Sequence, residues 1–187
     1  MTALGTIGID MAQHSVLWRC EMINNFKVNC ATPLWHDDML FVSSGYQGAC
    51  AGLKFAAKGD KVMMTEQWRN KNLLNEFNTS VIWKGHIYGC HGDRGPVFLR
   101  CLDLATGEIC WDIRSKVGHC SFLAFENHLV LAGERGTIQL VEANPEKHVV
   151  KSELEGLLAY KTWVQPALLN KRLYLRDEKK LVCMDLG

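Results

Sequence analysis

Apolar and polar residues follow one another along the chain in short runs of strand length, and one arrangement of these runs recurs four times. Each copy has an apolar strand, two polar residues and a second apolar strand, which is the pattern of a β-hairpin. The copies align without a gap: TPLWHDDMLFV (32–42), TSVIWKGHIYG (79–89), SFLAFENHLVL (121–131) and QPALLNKRLYL (165–175). We therefore predict four hairpins with two-residue turns.

A third strand follows each predicted hairpin, and a fourth strand follows in the first three units. TIGID (6–10) and SVLWRCE (15–21) supply a third and a fourth strand without a hairpin before them, and the last unit stops after its third strand. Four antiparallel strands repeated about every 40–45 residues is the period of a β-propeller blade. The strand pattern thus predicts an all-β propeller.

The predicted fold is a single partial β-propeller domain over residues 1–187, with four-stranded antiparallel blades and about four blades in this chain. The blades are assigned to residues 29–69, 78–114, 119–154 and 162–187, with 5–21 forming the outer strands of a further blade. The incomplete last blade leaves an open strand edge. Two interpretations follow: the chain is the C-terminal part of a longer propeller, or two copies pair head to tail as a homodimer with roughly eight blades.

The composition is that of a globular protein without a charge bias. Of 187 residues, 48% are hydrophobic and 22% charged, and 21 Lys and Arg against 20 Asp and Glu give a net charge of +1. Binding to nucleic acid or to a membrane surface needs a basic excess, so neither is expected. No apolar run is long enough for a membrane span. A protein partner or a small polar ligand is the expected class of binding partner.

The eight cysteines form no CxxC pair and no vicinal pair. Most of them lie in apolar strand-like runs, where free cysteine behaves as a small buried hydrophobe. We predict reduced core cysteines, which are typical of a cytoplasmic protein. The N-terminus has no secretory signal pattern. If the chain is a fragment of an exported protein, a periplasmic location is expected instead, so the localisation stays open.

The segment LRCLDLATGEICWDI (99–113) resembles the tryptophan-docking repeat of quinoprotein-like, or PQQ-like repeat, β-propellers. In it an apolar strand ends in Leu-Asp, Ala-Thr-Gly forms a turn, and the next strand carries a Trp. GIDMAQHSVLWR (8–19) is a second copy and LVCMDLG (181–187) a truncated third. NEFNTSVIWKGHIYG (75–89) and RLYLRDEKKLVCMDL (172–186) are similar to the last blades of uncharacterised bacterial members. The family shares the broad propeller superfold of WD40 and YVTN-like repeat proteins.

This resemblance implies a structural role for three tryptophans and one glycine. Trp18, Trp68 and Trp111 are expected to pack between neighbouring blades, where each buries a large apolar area. Gly107 is expected to adopt the positive φ that the Thr-Gly turn requires. In the third unit the equivalent position falls near Leu154, which is expected to loosen the packing there.

The family contains both enzymes and scaffolds, so the resemblance leaves two functions open. It includes pyrroloquinoline-quinone (PQQ) alcohol dehydrogenases and a non-enzymatic outer-membrane assembly lipoprotein. A dehydrogenase would need a quinone pocket and a bound calcium with acidic ligands, and no such ligand set can be assigned here. The sequence therefore favours a non-catalytic scaffold or binding module without a cofactor. Part of a PQQ- and calcium-dependent dehydrogenase is the alternative, and a sugar-binding propeller is a third.

The candidate binding surface lies on one face of the predicted propeller. With the strands of a blade named A to D in chain order, the longer D–A and B–C loops share a face, and loops on a rigid scaffold often carry function. The candidate residues on these loops are Asn72, Asn75, Asn78, His91, Asp93, Arg94, Lys161 and Trp163. No catalytic residue and no metal site is predicted, because His86, Cys90 and His91 lack a further ligand at metal spacing.

Overall fold

The computed structural model describes residues 1–59, 61–93 and 95–187. Within these ranges the protein has 17 strands in five antiparallel sheets and no helix. Arg94, one of the candidate binding residues, lies outside the described residues. In the described part of the chain there is no helix that is long and apolar enough to cross a membrane. The all-β prediction is confirmed.

Each sheet is one propeller blade, and its strands pair in chain order. The two-stranded sheet, which we name blade N, contains β1 (Gly5–Asp10) and β2 (Ser15–Glu21). Blade 1 contains β3 (Leu34–His36), β4 (Met39–Ser43), β5 (Cys50–Lys58) and β6 (Lys61–Asn70). Blade 2 contains β7 (Val81–Trp83), β8 (His86–His91), β9 (Phe98–Asp103) and β10 (Ile109–Arg114).

The remaining two sheets follow the same order. Blade 3 contains β11 (Cys120–Phe125), β12 (His128–Gly133), β13 (Ile138–Glu142) and β14 (Val149–Leu154). Blade 4 has three strands, β15 (Ala167–Leu169), β16 (Arg172–Arg176) and β17 (Leu181–Asp185). Strands A to D are therefore β3 to β6 in blade 1, and the later blades follow in the same way.

Three of the four two-residue A–B turns have positive φ at both residues, whereas in Asp37–Asp38 only Asp37 does. Both residues have positive φ in the turn Glu126–Asn127 (43° and 63°) and in the turn Asn170–Lys171 (49° and 61°). This is the type I′ geometry, whose twist matches that of the flanking strands. Asn and Gly tolerate positive φ better than other residues, which explains the polar pairs in the aligned segments.

The outer strand of every blade that has one carries a β-bulge at the same place. The register shifts just before Trp18, which pairs with Gly8, and just before Trp68, which pairs with Gly52. The same shift precedes Trp111 in blade 2 and Ser152 in blade 3. The bulge therefore places the missing tryptophan of blade 3 at Ser152. The expectation that it falls near Leu154 is wrong by two residues, because the sequence does not show where the extra bulge residue lies.

The hydrophobic core lies between blades and forms four successive seams. Side chains of blades 1 and 2, such as Phe41 and Leu102, meet in one seam, and Tyr88 and Phe122 of blades 2 and 3 meet in the next. All five residues of β4 are buried, because this strand packs against a neighbouring blade on each face. The seams fix how the loops of adjacent blades meet.

Candidate binding face

The tryptophans that follow the bulges contact the next blade along the chain. Trp68 donates its indole N–H to the carbonyl of Leu104 at 2.8 Å. Its ring lies against Gly107, where an added Cβ would come within 2.5 Å of ring carbons. Gly107 has φ of 72°, so the turn requires glycine for its backbone as well as for space. Asn70 and Asn72 donate to the Gly107 carbonyl at 3.0 and 2.8 Å.

The other two tryptophans make related contacts. Trp111 donates its indole N–H to the carbonyl of Asn144 in blade 3 at 2.9 Å. The ring of Trp18 lies 5.0 Å from that of Phe55 in blade 1, measured between centroids. Ser152 at the equivalent position of blade 3 is exposed. These contacts hold the outer strands together and leave the loops at the D–A end of each blade to present other side chains.

A polar side chain just after each B strand anchors the D–A loop that enters the same blade. In blade 1, Ser44 Oγ accepts a hydrogen bond from Asn24 at 2.9 Å. In blade 2, Nδ1 of His91 accepts the N–H of Leu74 at 3.1 Å. In blade 4, Asp177 occupies the same repeat position. In blade 3 the anchor is Glu134, one residue further on, which accepts from the His119 N–H at 3.3 Å.

Asp177 binds four backbone N–H groups and joins two loops. One carboxylate oxygen accepts from Ala159 and Tyr160 at 3.1 and 3.2 Å, and the other from Lys179 and Lys180 at 2.8 and 2.7 Å. These hydrogen bonds, that of Lys179 foremost, lower the pKa of Asp177 to about 2. The ionised carboxylate therefore fixes the start of the loop that carries Lys161 and Trp163.

Most of the candidate residues predicted from the sequence are used inside the fold. Asn75 is 1% exposed and bonds to the Cys90 carbonyl and to Ser80, and Asn78 is 3% exposed. Burial lowers the pKa of His91 to about 4, with the Arg100 charge adding to the effect, so its neutral ring accepts the Leu74 N–H. Asp93 is half-buried.

The structure separates the predicted binding residues into two groups. Asn72, Asn75 and His91 hydrogen-bond to the backbone of neighbouring segments, which is a common role of such side chains beside irregular structure. Asn78 is buried as well, but its side-chain amide has no hydrogen-bond partner among the described residues. A partner that approaches the surface cannot reach the side chains of Asn75 and Asn78. Lys161 and Trp163 are exposed, and they belong to a cluster that the sequence did not reveal.

Three consecutive D–A loops bring one ring each to a common site. Phe77 precedes blade 2, His119 precedes blade 3 and Trp163 precedes blade 4, and each lies two residues before its aligned hairpin segment. The Phe77 ring lies 5.1 Å from the His119 ring and 4.7 Å from the Trp163 ring, between centroids. We name Phe77, His119 and Trp163 the loop-face ring cluster. Their common repeat position is the signal that could have identified them.

The ring cluster carries charges at its margin. Lys161 places its ammonium 4.6 Å from the centroid of the Trp163 ring, within the range of a cation–π contact. Glu76 lies 3.4 Å from Nε2 of the largely buried His119. The backbone also connects the loops of His119 and Trp163, because Glu134 N–H donates to the His119 carbonyl and Thr162 N–H donates to the Glu134 carbonyl. The cluster is therefore a built feature that several elements position.

Trp163 is the most accessible ring of the cluster, with 49% of its surface exposed. Phe77 and Lys161 both contact this ring, so part of its surface is already covered. Sugar-binding tryptophans offer an open ring face, whereas protein interfaces use partly packed aromatic anchors beside charged groups. Trp163 is therefore the part of the cluster that a molecule at the surface could contact.

An open groove lies along the inner strands of blades 1 to 3. Strands β3, β7 and β11 lie side by side, since each A strand is the innermost of its blade. The side chains along this groove are mostly apolar: Pro33, Leu34, Trp35, His36, Val81, Ile82, Leu123, Ala124 and Gln165. Trp35 is 57% exposed in the groove.

The residues of this groove do not fit a calcium-bound quinone. Calcium takes six to eight oxygen ligands, largely carboxylates and carbonyls. Within the described residues, no three His, Cys, Asp or Glu side chains are grouped so that they could hold a metal ion. Asp37 and Asp38 lie in the A–B turn at the other end of blade 1, as the sequence indicated. No catalytic step is therefore derived through this cofactor.

Comparisons with known proteins bear on the fold alone. No family model and no curated protein matches the chain. Among solved structures, BamB from Moraxella catarrhalis has a TM-score of 0.68 at 17% identity, covering 97% of this chain and 55% of that one. The computationally designed protein Ika8 has a TM-score of 0.66 at 12% identity, covering 99% and 54%. The chain thus spans about half the length of the propellers it matches.

A weaker similarity exists to a methanol dehydrogenase. A europium-containing methanol dehydrogenase is 16% identical, with a TM-score of 0.44 over 62% of this chain and 23% of that one. This score is too low to carry an argument. The fold is that of a partial β-propeller.

Proposed function

We propose that the protein is a non-catalytic propeller module that binds a protein partner through the loop-face ring cluster. The observation that carries the proposal is the convergence of Phe77, His119 and Trp163 from three consecutive blades. A packing role alone would bury these rings, whereas Trp163 is half exposed. The proposed function requires neither a metal nor a cofactor.

The chemistry of the cluster resembles the centre of a protein interface. Tryptophan and other aromatic residues carry much of the binding energy in such interfaces, and charged residues surround them. Here Lys161 and Glu76 flank the rings with opposite charges. We infer a partner segment with an apolar side chain that packs beside Trp163 and an acidic group that reaches Lys161.

The family resemblance adds a finer hypothesis. The repeats are similar to those of uncharacterised bacterial PQQ-like repeat proteins, and we propose that this chain corresponds to the C-terminal part of such a propeller. BamB is a structural neighbour of low identity. A scaffold role of the propeller is consistent with that likeness, while the partner itself must be found by experiment.

Site-specific photo-crosslinking in cells tests this proposal. A photoreactive phenylalanine analogue at Trp163 is expected to capture a defined protein, because this position lies at the centre of the surface. The same analogue at Lys171, in the exposed A–B turn on the opposite face, serves as the control. Equal products at both positions, or no product at Trp163, would contradict the proposal.

Once the partner is identified, affinity measurements test the role of the ring. Trp163→Ala is expected to weaken binding by about 30-fold, which corresponds to roughly 2 kcal/mol. Leu169→Ala removes a side chain that is 63% exposed on β15, away from the cluster, and should leave affinity unchanged. A circular dichroism spectrum must show that both variants keep the fold.

A further inference from the structure

Two buried cysteines meet across the seam between blades 2 and 3. Cys90 lies in β8 and Cys120 begins β11, and their side chains are 2% and 0% exposed. The two Sγ atoms are 2.9 Å apart. Nonbonded carbon atoms settle at about 3.5–4.0 Å, and sulfur is larger, so the thiols are in unusually close contact.

The backbone holds this pair in place from both sides. The Cys120 N–H donates to the Cys90 sulfur at 3.2 Å, and that sulfur lies 3.5 Å from the Cys120 carbonyl. Forming a disulfide would need the sulfurs to approach to about 2.05 Å, a movement of less than about 1 Å. The seam therefore needs little rearrangement to accommodate a covalent bond.

The same two repeat positions hold other residues in the neighbouring seams. They are Ser43 and Asn78 between blades 1 and 2, and Ala132 and Val164 between blades 3 and 4. Polar and apolar pairs thus occupy this place in a seam. Because packing does not require sulfur there, the paired cysteines point to a chemical role.

We propose that Cys90 and Cys120 form an inter-blade disulfide when the chain folds in an oxidising compartment. The oxidant is a disulfide, either a small molecule or that of a thiol oxidoreductase. One cysteine thiolate attacks this disulfide and forms a mixed disulfide, and the second cysteine then displaces the remaining thiol. An S–S bond forms between the cysteines, the oxidant is reduced to two thiols, and these take up the two cysteine protons.

Burial decides when this reaction takes place. Burial and the neighbouring Cys90 raise the pKa of the Cys120 thiol well above its ordinary range, so little thiolate exists once the seam has closed. The bond therefore forms during folding, before blades 2 and 3 pack together. Once formed, it is shielded from reductants and fixes the loop that carries His119 of the ring cluster. In a reducing compartment the same pair stays as two buried thiols.

Peptide mapping without reduction tests the bond directly. The chain is produced once with an export signal in an oxidising compartment and once in a reducing cytoplasm, and both samples are alkylated during denaturation. Trypsin places Cys90 in the peptide 85–94 and Cys120 in the peptide 117–135. The exported protein is expected to give these two peptides joined, and the cytoplasmic protein is expected to give both alkylated.

The proposal is overturned if both cysteines are alkylated in the exported, folded protein, because the pair is then only a thiol contact. It is also overturned if Cys120 is joined to a cysteine other than Cys90. If the exported chain does not accumulate, refolding from urea with oxidised glutathione provides the same peptide readout. Soluble, folded material from that refolding replaces the exported sample.

Thermal unfolding gives an independent measurement. The oxidised protein is expected to melt about 5–10 °C above the reduced protein, since the bond closes a loop of some thirty residues. The double variant Cys90→Ala, Cys120→Ala should lose this difference. Cys50→Ala removes an equally buried thiol in another seam and should keep it. An equal oxidised-to-reduced difference in both variants would exclude the Cys90–Cys120 bond as its cause.

Discussion

The seam between blades 1 and 2 differs from the seam between blades 3 and 4 in how its outer strands are held. In the first, Trp68 packs on Gly107 and bonds to Leu104, and Asn70 and Asn72 bond to the same turn. In the second, Ser152 is exposed at the tryptophan position. The seam between blades 3 and 4 depends instead on inner aliphatic residues such as Leu158 and Leu173.

The difference shows that one fold can join blades in two ways. The inner strands form an apolar core in both seams, whereas the outer contact is an optional addition made by a Trp that follows a bulge. In the described part of the chain blade 4 has three strands, so one edge of β17 has no strand beside it. We expect blade 4 to be the least stable of the blades, and it lies beside the ring cluster.

The largest expected effect is that of Trp68→Ala. It removes a large half-buried ring and its hydrogen bond to Leu104, so the free energy of unfolding should fall by about 3 kcal/mol. Urea unfolding followed by circular dichroism measures this loss. Trp35→Ala is the matched control, because that ring is 57% exposed in the groove and should cost much less. Equal losses of unfolding free energy in Trp68→Ala and Trp35→Ala would show that the docking contact stabilises the fold no more than an exposed ring does.

Gly107→Ala should have the next largest effect. The added Cβ would meet the Trp68 ring at 2.5 Å, and the backbone φ of 72° is unfavourable for alanine. We expect a loss of about 2 kcal/mol in the free energy of unfolding. Gly59→Ala has a similar φ of 60° but open space around the Cβ, so it separates the backbone strain from the clash. In the Trp68→Ala background most of the clash component of Gly107→Ala should disappear, leaving only the approach of the Asn70 amide at 2.8 Å.

Hydrogen exchange should distinguish the two seams in the unmodified protein. Backbone amides of β16 are expected to exchange through a local opening that costs less free energy than the opening of β8. The physical reason is the missing outer contact and the missing fourth strand of blade 4. Exchange monitored by mass spectrometry on peptides from both strands measures the difference. Equal protection in β8 and β16 would contradict this view of the two seams.

A smaller effect on the free energy of unfolding is expected when the pH is lowered and Asp177 becomes protonated. Its pKa is lowered to about 2 in the folded protein, against about 3.9 in an unfolded chain. The ionised carboxylate therefore stabilises the fold above about pH 4, and this contribution is lost as the pH falls toward 2. Asp177→Asn should make the stability curve flatter across this window. A parallel shift of the curve without a change in its slope would contradict this role.

The smallest expected effect is that of Ser152→Ala. Because Ser152 is exposed and has no docking role, the free energy of unfolding should change by no more than about 0.5 kcal/mol. Leu154→Ala provides the comparison, since the sequence placed the docking position near that residue. A loss of more than about 1 kcal/mol for Ser152→Ala alone would reveal a contact at this position that its exposure does not suggest.

The sequence predicted the hairpins well because their signal is local. A strand of alternate or continuous apolar residues and two turn residues with positive φ, such as Asn170 and Lys171, depend on few neighbours. The bulge before Ser152 is different, because an extra residue in one strand becomes visible only against its partner strand. The docking position of blade 3 was therefore misplaced.

The same contrast between local signals and contacts with distant segments applies to the candidate binding residues. Asparagines and His91 on the loops were expected to meet a partner, yet the structure uses Asn72, Asn75 and His91 to satisfy loop backbone and turn carbonyls. A sequence shows that a polar residue lies in a loop, but its hydrogen-bond partner comes from another part of the chain. Lys161 and Trp163 could be named from the sequence because they lie in or beside a long D–A loop, but nothing in the sequence indicates that Phe77 and His119 lie beside them.

The sequence by itself determined the strand order, the hairpin turns and the blade repeat. These depend on the period of apolar residues and on backbone conformation, which are properties of short segments. Only the tertiary structure decided which side chains from different blades meet: the ring cluster of three loops, the anchor at Asp177 and the close pair Cys90 and Cys120. Such meetings depend on the twist and seam packing of whole blades, which place residues tens of positions apart within a few ångströms.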